Sequence, residues 1–435
     1  MRLKTWAALA AAAFALPLLS GCGDDNAQKG YVRIINATTE YTSLDLYTQA
    51  DDGSNDLVVS GTAAGKASGY NDIDKGSYTF NIKSGSGASN AATTPGTISK
   101  TDHYSIVTYL TGGVAKAQFL SDEESAPASG NAKLRVFNAA TSEASSVDVY
   151  LTNNACNALA VTDTAFAAAQ TGLQASYNQV TASSTGSTWN VCVFPAGDKS
   201  TLLLDIPSLT LKDQEIATLI LTHTAGGVLL NGAVLDQRGA MTPYTSAISR
   251  VRVAADPVAG LTTVSLNNTE LTANAAVQSI SGYVTIPSAA LAAAVTIDGV
   301  TTNVTTLPPA TAGKDYTLLV AGTSSNPAVT LISDDNSVST STTQTVKARV
   351  INGINNGSGS VSATIDNKTV GTAAFGQAST PYVTIPSTTG TSTVQASIAT
   401  NPASLTTQTF AANGVYTVFI WGNASAPKLA VQQDR

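Results

Sequence analysis

The feature that most constrains the fold is an internal repeat of roughly one hundred residues that occurs four times. Each repeat opens with a similar strand sequence: YVRIINA from Tyr31, KLRVFNA from Lys133, RVRVAAD from Arg250 and KARVING from Lys347. By subtraction of residue numbers, the aligned arginines are 102, 117 and 97 positions apart: Arg33, Arg135, Arg252 and Arg349. Such a chain is expected to fold as a tandem array of similar domains, each long enough to bury its own core.

Further elements recur in the same order within each repeat. A third element carries an aligned tyrosine: Tyr70, Tyr177, Tyr283 and Tyr382. A closing apolar strand then runs into an acid: Asp122, Asp236, Asp334 and Asp434. The apolar segments alternate with a period of two, are rich in Val, Ile, Thr and Tyr, and are separated by Gly, Ser, Asn, Asp and Pro. About seven such strands per repeat predict an all-β chain of four tandem immunoglobulin-like antiparallel β-sandwiches.

Domain boundaries follow from the repeats and from the polar junctions between them. We expect a signal peptide over 1–21, a tether over 22–30, and sandwiches over 31–122, 132–238, 249–335 and 345–435. Two alanine-rich segments compete as short helices, FAAAQTGLQ from Phe166 and SAALAAA from Ser288. In the late strand of the fourth repeat, Phe419 and Trp421 are predicted on one face and Val418 and Ile420 on the other.

The motif order VRxxNA, then xVDVY, then Y-x-x-[IV]-P, then an ending such as DYTLLVAG resembles the domain-of-unknown-function 4397 family. The resemblance extends from about Tyr31 to Asp434. Repeats one and two carry the opening motifs best, whereas repeats three and four better keep the Tyr-Val-Thr-Ile-Pro element. The resemblance implies β-sandwiches in an exported or envelope protein. It implies no catalytic residues, because none are established for the family.

The N-terminus reads as an export signal of the lipoprotein type. Arg2 and Lys4 precede a short apolar stretch, which ends in Leu-Ser-Gly-Cys at Cys22. This ending resembles the bacterial lipobox, in which the cysteine receives a diacylglycerol and becomes the first residue of the mature chain. The stretch is too short for a confident membrane span. Cys22 is therefore predicted to be lipidated, with an ordinary signal peptide as the alternative.

Composition excludes several function classes. Lys and Arg total 22 against 29 Asp and Glu, without a basic run, which argues against nucleic-acid binding. Two His and three Cys argue against a histidine-rich metal site or a cysteine cluster. Removal of Cys22 leaves Cys156 and Cys192, which we expect to form a disulfide outside the cytoplasm, with buried free thiols as the alternative. No cofactor is expected.

Aligned residues also suggest specific contacts. Arg33 with Asp45, and Arg135 with Asp148, are predicted to form ion pairs across neighbouring strands, with a recurring anion-binding surface as the alternative. A second aligned set begins the late strand: Tyr104, Tyr316 and Tyr416. Its position is typical of the tyrosine corner, in which the hydroxyl bonds to upstream backbone.

Candidate ligand sites are few. Four acids at domain junctions are calcium candidates, although solvated turns are the favoured interpretation: Asp122, Glu123, Asp334 and Asp335. His103 and His223 lack a partner nucleophile motif, so no catalytic residue is predicted. Trp189 and Trp421 could stack on sugars if exposed, but core packing is favoured.

The leading hypothesis is a non-enzymatic cell-envelope protein that is held to a membrane by its N-terminal lipid. It would act as a structural or binding module, with adhesion as one such role, on the periplasmic side of the outer membrane or at the cell surface. The alternative is a periplasmic or surface accessory lipoprotein that binds a carbohydrate or another polymer. Partners would then be a protein or polysaccharide ligand, and not a nucleic acid.

Overall fold

The structure is a computed structural model that describes residues 28–49, 53–85, 89–224, 226–338, 344–355, 359–398, 401–402 and 406–435. Within these ranges thirty-six β-strands form eight sheets, no α-helix is present, and a short 3₁₀ helix spans Cys156–Ala158. The strands group in chain order into four domains of nine strands and two sheets each. The predicted fold class of tandem β-sandwiches is therefore confirmed.

The first two domains have the following strands. Domain 1 contains β1 Lys29–Asn36, β2 Ser43–Gln49, β3 Asn55–Ala63, β4 Lys66–Ala67, β5 Asn71–Asp74, β6 Gly76–Lys83, β7 Ala92–Ile98, β8 His103–Thr111 and β9 Val114–Ser121. Domain 2 contains β10 Asn131–Asn138, β11 Val147–Thr152, β12 Ala167–Gln170, β13 Asn178–Thr181, β14 Ser187–Pro195, β15 Leu204–Leu211, β16 Ile216–His223, β17 Leu230–Asp236 and β18 Met241–Tyr244.

The last two domains repeat this pattern. Domain 3 contains β19 Ile248–Pro257, β20 Thr262–Leu266, β21 Thr269–Ala275, β22 Ser279–Ile280, β23 Val284–Pro287, β24 Ala293–Ile297, β25 Val300–Val304, β26 Asp315–Thr323 and β27 Asn326–Asp334. Domain 4 contains β28 Thr345–Asn352, β29 Ser360–Ile365, β30 Lys368–Ala374, β31 Val383–Pro386, β32 Ser392–Ile398, β33 Asn401–Pro402, β34 Thr406–Gln408, β35 Val415–Asn423 and β36 Ala426–Gln433.

Both helical alternatives are wrong. The segment from Phe166 supplies strand β12, and the segment from Ser288 is irregular chain that leads into strand β24. In each case the intrinsic helix preference of alanine is overridden by pairing with the neighbouring strands of a buried sheet. Among the described residues, no helix is long and apolar enough to cross a bilayer.

Each domain consists of an interface sheet, which holds its first strand, and an outer sheet, which holds its second. The interface sheets have the orders β4–β1–β8–β9 with β5 also on β1, β13–β10–β16–β17–β18, β22–β19–β26–β27 with β23 also on β19, and β31–β28–β35–β36. The outer sheets have the orders β3–β2–β6–β7, β12–β11–β14–β15, β21–β20–β24–β25, and β30–β29–β32–β33 with β34 also on β32. The two sheets of a domain enclose its hydrophobic core.

The first strand of every domain pairs in parallel with the late strand, and the other named strand pairs are antiparallel. This pairing places each aligned arginine opposite a hydroxyl residue: Arg33 and Ser105, Arg135 and Thr218, Arg252 and Thr317, Arg349 and Thr417. Both strands are buried along most of their length, as is typical of strands that are covered on both faces.

The second covered face of each interface sheet packs on a neighbouring domain. Between domains 1 and 2 the contact includes Ile35, Val107, Phe137 and Ile220. Between domains 3 and 4 it includes Leu319, Ile351, Phe419 and Trp421. Val418 and Ile420 lie instead in the core of domain 4, so the predicted alternation along β35 is confirmed.

The predicted tyrosine corner is confirmed in the three domains that carry the residue. The hydroxyl of Tyr316 accepts a hydrogen bond from the backbone N–H of Thr311 at 2.9 Å. Tyr416 and Tyr104 accept equivalent bonds from Ala411 at 2.9 Å and from Ser99 at 3.3 Å. Each bond ties the late strand to the turn that precedes it.

The predicted disulfide is also confirmed. Cys156 and Cys192 are bonded in domain 2, with their Cα atoms 5.4 Å apart. The bond links the loop after β11 to the outer-sheet strand β14, where the aromatic rings of Tyr150 and Phe194 cover it. It therefore fixes a long loop to the sandwich.

We predict that the C156A/C192A double variant loses about 4 kcal/mol of domain 2 stability, because the disulfide closes a loop of 36 residues. Urea unfolding followed by Trp189 fluorescence in a W421F background would measure the loss. A reducing agent should lower the stability of the parent protein by a similar amount and leave the double variant unchanged. Equal stability of parent and double variant would contradict the prediction.

Candidate functional site

A group of buried charges lies between the domains of each pair. The four aligned arginines are almost fully buried there, with exposed fractions of 2%, 8%, 2% and 1% for Arg33, Arg135, Arg252 and Arg349. Each guanidinium lies on the ring of the aligned tyrosine, at 4.4–4.8 Å from its centroid: Tyr70, Tyr177, Tyr283 and Tyr382. We call these contacts, together with the acids that they reach, the arginine clusters.

In domains 3 and 4 the cluster is reciprocal. Arg252 of domain 3 donates to the carboxylate of Asp434 in domain 4 at 2.5 Å. Arg349 of domain 4 donates in return to the carboxylate of Asp334 in domain 3 and to the carbonyl of Ser333 at 2.8 Å. Each domain thus supplies the counter-ion of the other domain's buried arginine.

Hydroxyl groups complete this cluster. The second carboxylate oxygen of Asp334 accepts hydrogen bonds from Tyr283 at 2.6 Å and from Thr317 at 2.8 Å. That of Asp434 accepts one from Thr417 at 2.5 Å. Such bonds are needed because a buried carboxylate with free lone pairs carries a large desolvation cost.

The electrostatics of the cluster keep the arginines charged. Burial alone lowers the pKa of Arg252, but the neighbouring Asp434, Tyr283 and Asp334 outweigh it and leave the pKa above its ordinary value. Burial also raises the pKa of Asp434, against the opposing effect of Arg252. Each charge of the pair is therefore countered by the other within the domain interface.

The cluster of domains 1 and 2 differs in its acids. Arg33 donates to the backbone carbonyls of Asp236 and Gly239 in domain 2, and to Ser105 of its own domain at 2.7 Å. Asp122 accepts from Ser105 at 2.5 Å and from Tyr70 at 2.6 Å. Backbone carbonyls thus take the place of the second carboxylate.

The expectation that Asp236 closes repeat two at the same position as the other acids is wrong by one residue. Thr218 pairs with Leu235, as Ser105 pairs with Leu120, so the residue equivalent to Asp122 is Gln237. The Gln237 amide instead forms two hydrogen bonds with the backbone of Glu124, at 2.7 and 3.1 Å. Domain 2 therefore uses the residue that follows β17 to hold the segment that joins it to domain 1.

The predicted Arg33–Asp45 and Arg135–Asp148 ion pairs are wrong. Asp45 accepts from the backbone N–H of Gly61 at 2.7 Å, and Asp148 accepts from those of Ala169 and Gly197. The reason is topological, because the arginines lie on interface sheets and these acids on outer sheets. The first and second strands of a domain are consecutive in sequence, but they do not pair in this fold.

The four calcium candidates do not come together. Asp122 and Asp334 belong to the arginine clusters, while Glu123 binds Arg238 and the backbone N–H of His103. Asp335 pairs with Lys347 at 2.7 Å and accepts from Ser337. In the described ranges, no group of three or more His, Cys, Asp or Glu side chains is arranged to hold a metal ion.

The histidines and tryptophans occupy separate places. His103 lies 3.2 Å from Glu123 and stacks on Tyr31, whereas His223 contacts Glu40 at 2.6 Å. Trp421 is 2% exposed between domains 3 and 4, and Trp189 is partly buried against the domain 2 core. Packing thus accounts for both tryptophans, as favoured from the sequence.

Domain 2 carries an open cleft of about 660 Å³ that the sequence did not suggest. Its polar lining includes Lys212, Glu215, Asp236 and Tyr244. Burial and the hydrogen-bonded Glu215 carboxylate together raise the pKa of Asp236 to about 6. Asp236 at the end of β17 and Tyr244 at the end of β18 both line this cleft.

Comparison with known proteins connects the first domain to a family. Residues 30–150 match the model of the family described as Domain of unknown function (DUF4397), so the resemblance is confirmed over this segment. It covers domain 1 and β10 with most of β11 in domain 2. No curated protein matches the chain.

Several solved structures are similar at low identity. A candidate cell adhesion protein from Bacteroides uniformis ATCC 8492 is 12% identical over 47% of this chain and 99% of its own, with a TM-score of 0.21. The multi-modular glycogen-degrading pneumococcal virulence factor SpuA is 12% identical over 86% and 37%, with a TM-score of 0.17. The TIE protein of Bacillus anthracis is 11% identical over 91% and 68%, with a TM-score of 0.14. Likenesses with such TM-scores carry no argument about function.

We predict that R349M destabilises the pair of domains 3 and 4 by about 3–5 kcal/mol, because it removes the nearer counter-ion of the buried Asp334 carboxylate and leaves only Arg252, at 3.9 Å. Urea unfolding followed by Trp421 fluorescence in a W189F background would measure the loss. The double variant R349M/D334N should recover part of it. A matched double-mutant cycle on Arg33 and Asp45 should give no coupling, and a large coupling there would contradict the corrected pairing.

The raised pKa of Asp236 predicts a pH effect of defined sign. The folded state holds the Asp236 proton more tightly than the unfolded state, so stability falls as pH rises from 3.8 through about 6. D236N should therefore be more stable than the parent at pH 8, by about 1–2 kcal/mol after solvent screening, and equal to it near pH 4. Thermal unfolding at both pH values would check this, with the exposed D298N as control. A pH-independent difference would contradict it.

Proposed function

We propose that this protein is a non-enzymatic, lipid-anchored component of the bacterial cell envelope, in which four β-sandwiches act as a structural or binding module. The observation that carries the proposal is that buried ion pairs hold neighbouring domains together. Arg252 with Asp434, and Arg349 with Asp334, fix the relative register of two domains. Buried ion pairs of this kind favour one arrangement over others, which suits a protein that holds or presents a surface.

The compartment is supported by the disulfide between Cys156 and Cys192. Disulfides persist in oxidising environments outside the cytoplasm and are rare within it. The predicted lipobox at Cys22 lies outside the described residues. Two or three acyl chains on that cysteine would hold the chain firmly at a membrane surface.

The second candidate function is binding of a carbohydrate or another polymer, and the cleft of domain 2 favours it. Tyr244 offers a ring face, while Glu215 and Asp236 offer acceptors for hydroxyl groups. The volume of the cleft lies within the range of sites that bind small molecules. Retention of the protein on an immobilised polysaccharide, lost in Y244A, would support this role over a purely structural one.

We predict that metabolic labelling with a radioactive fatty acid marks the parent protein but not C22A. The double variant C156A/C192A keeps Cys22 as its only cysteine and should be labelled like the parent. Absence of label from the parent would contradict the lipid anchor. Equal label on C22A would place the acyl chain elsewhere.

Protease shaving of intact cells then separates the two roles. Loss of the mature chain from intact cells would place the domains at the surface and favour adhesion or surface structure. Digestion only after the outer barrier is opened would place them in the periplasm and favour the polymer-binding role. A known periplasmic protein, which should be digested only after the outer barrier is opened, serves as the control for accessibility.

A further inference from the structure

A second kind of contact joins domain 1 to domain 2, away from the arginine cluster. His223, the last residue of β16, reaches across to Glu40 in the loop between β1 and β2. The imidazole Nε2 and the carboxylate Oε1 are 2.6 Å apart. The imidazole is 11% exposed and the carboxylate 40%, so the pair lies at the rim of the interface, within reach of solvent protons.

Domain 4 reaches the same place. Arg435 donates to the carbonyl of Ser142 at 2.8 Å and to the carboxylate of Glu143 at 3.3 Å, both in domain 2. Glu40, Glu143 and His223 line one small cavity of about 150 Å³. The charged groups that face His223 are therefore Glu40 from domain 1, Glu143 from its own domain and Arg435 from domain 4.

We propose that His223 and Glu40 form a proton-operated latch between domains 1 and 2, which is tight when the imidazole is protonated and loosens when it is neutral. A histidine is the only side chain whose ordinary titration falls near neutral pH. The ion pair is short and lies at the rim of the domain interface. Loss of one of its charges would therefore weaken the contact between the domains without exposing their whole core. The arginine cluster would hold the domains together while the latch opens.

The sign of the pH effect follows from the two partners. Burial lowers the pKa of His223, but the hydrogen bond and charge of Glu40 outweigh it and raise the pKa above 6.5. Burial raises the pKa of Glu40, but His223 outweighs it and lowers the pKa below 4.5. The stabilisation from His223 is complete below 6.5 and is lost as pH rises through its folded-state value. The stabilisation from Glu40 is present above pH 4.5 and is lost as pH falls through the folded-state pKa of Glu40. The latch is therefore closed in mildly acidic solution and open in alkaline solution.

The first test uses the fact that the chain contains only two histidines. In the full-length H103N variant, NMR titration of the remaining imidazole reports His223 alone. Adding E40Q should move its pKa from above the ordinary histidine value to below it, because burial then dominates. Adding R435Q should move it upward instead, because Arg435 opposes protonation. The control E270Q removes an exposed acid of domain 3 and should leave the titration unchanged. An unchanged titration in E40Q would overturn the proposal.

The second test asks whether the proton controls the domain contact. Hydrogen exchange of the Val107 and Ile220 amides, corrected for intrinsic rates, should quicken by about threefold to tenfold between pH 6 and pH 9. The E40Q variant should lose this pH dependence. The Leu319 and Phe419 amides between domains 3 and 4 supply an internal control, since no histidine lies in that pair. Equal pH dependence of both interfaces, or its persistence in E40Q, would overturn the latch.

Discussion

The buried arginine on the first strand of each domain is the interaction on which the rest of the structure depends. A guanidinium that is 1–8% exposed needs hydrogen-bond acceptors within the protein, because the cost of removing it from water is not otherwise offset. For Arg33, Arg252 and Arg349 these partners come from the neighbouring domain. The interface sheet therefore cannot face solvent, and the domains form pairs in which one domain supplies hydrogen-bond acceptors to an arginine of the other.

The two pairs solve the same electrostatic problem with different groups. Domains 3 and 4 use two carboxylates for two arginines, whereas domains 1 and 2 keep Asp122 and replace the other acid by backbone carbonyls and Gln237. The junction segments are held alike, since Lys133 binds Glu124 and Lys347 binds Asp335. The two pairs thus share a junction contact, and where domains 3 and 4 have a buried acid, domains 1 and 2 have Gln237, which bonds to the linker.

The sequence predicted the parts of this fold that depend on local pattern. Strand alternation, the tyrosine corner of Tyr316 and Tyr416, and the Cys156–Cys192 disulfide all leave a signal within one repeat. The partner of Arg33 does not, because the first and second strands of a domain lie in different sheets, and the parallel pairing of the first strand with the late strand has no signature in residue order. The cleft was missed for a similar reason: Asp236 aligns with the other acids by eye, yet lies one strand position earlier. The arginines and tyrosines align between the repeats of the sequence. That they are buried together at the domain interfaces could not be predicted from the alignment alone.

The domain contacts bury much of the sheet surface and so limit where a ligand could bind. One face of every interface sheet packs in a core and the other contributes to a domain contact, so an interface sheet can meet a ligand only at its ends and edges, as in the cleft of domain 2. The surfaces that remain available to a ligand are the outer sheets, the loops at the ends of the sandwiches and the cleft of domain 2. Apolar side chains in these places, such as Val161 in the disulfide-tethered loop and Phe375 in domain 4, stay exposed. Because the arginine clusters fix the domains, these surfaces keep a constant spacing within each pair, and a ligand that contacts both domains of a pair would meet them already positioned.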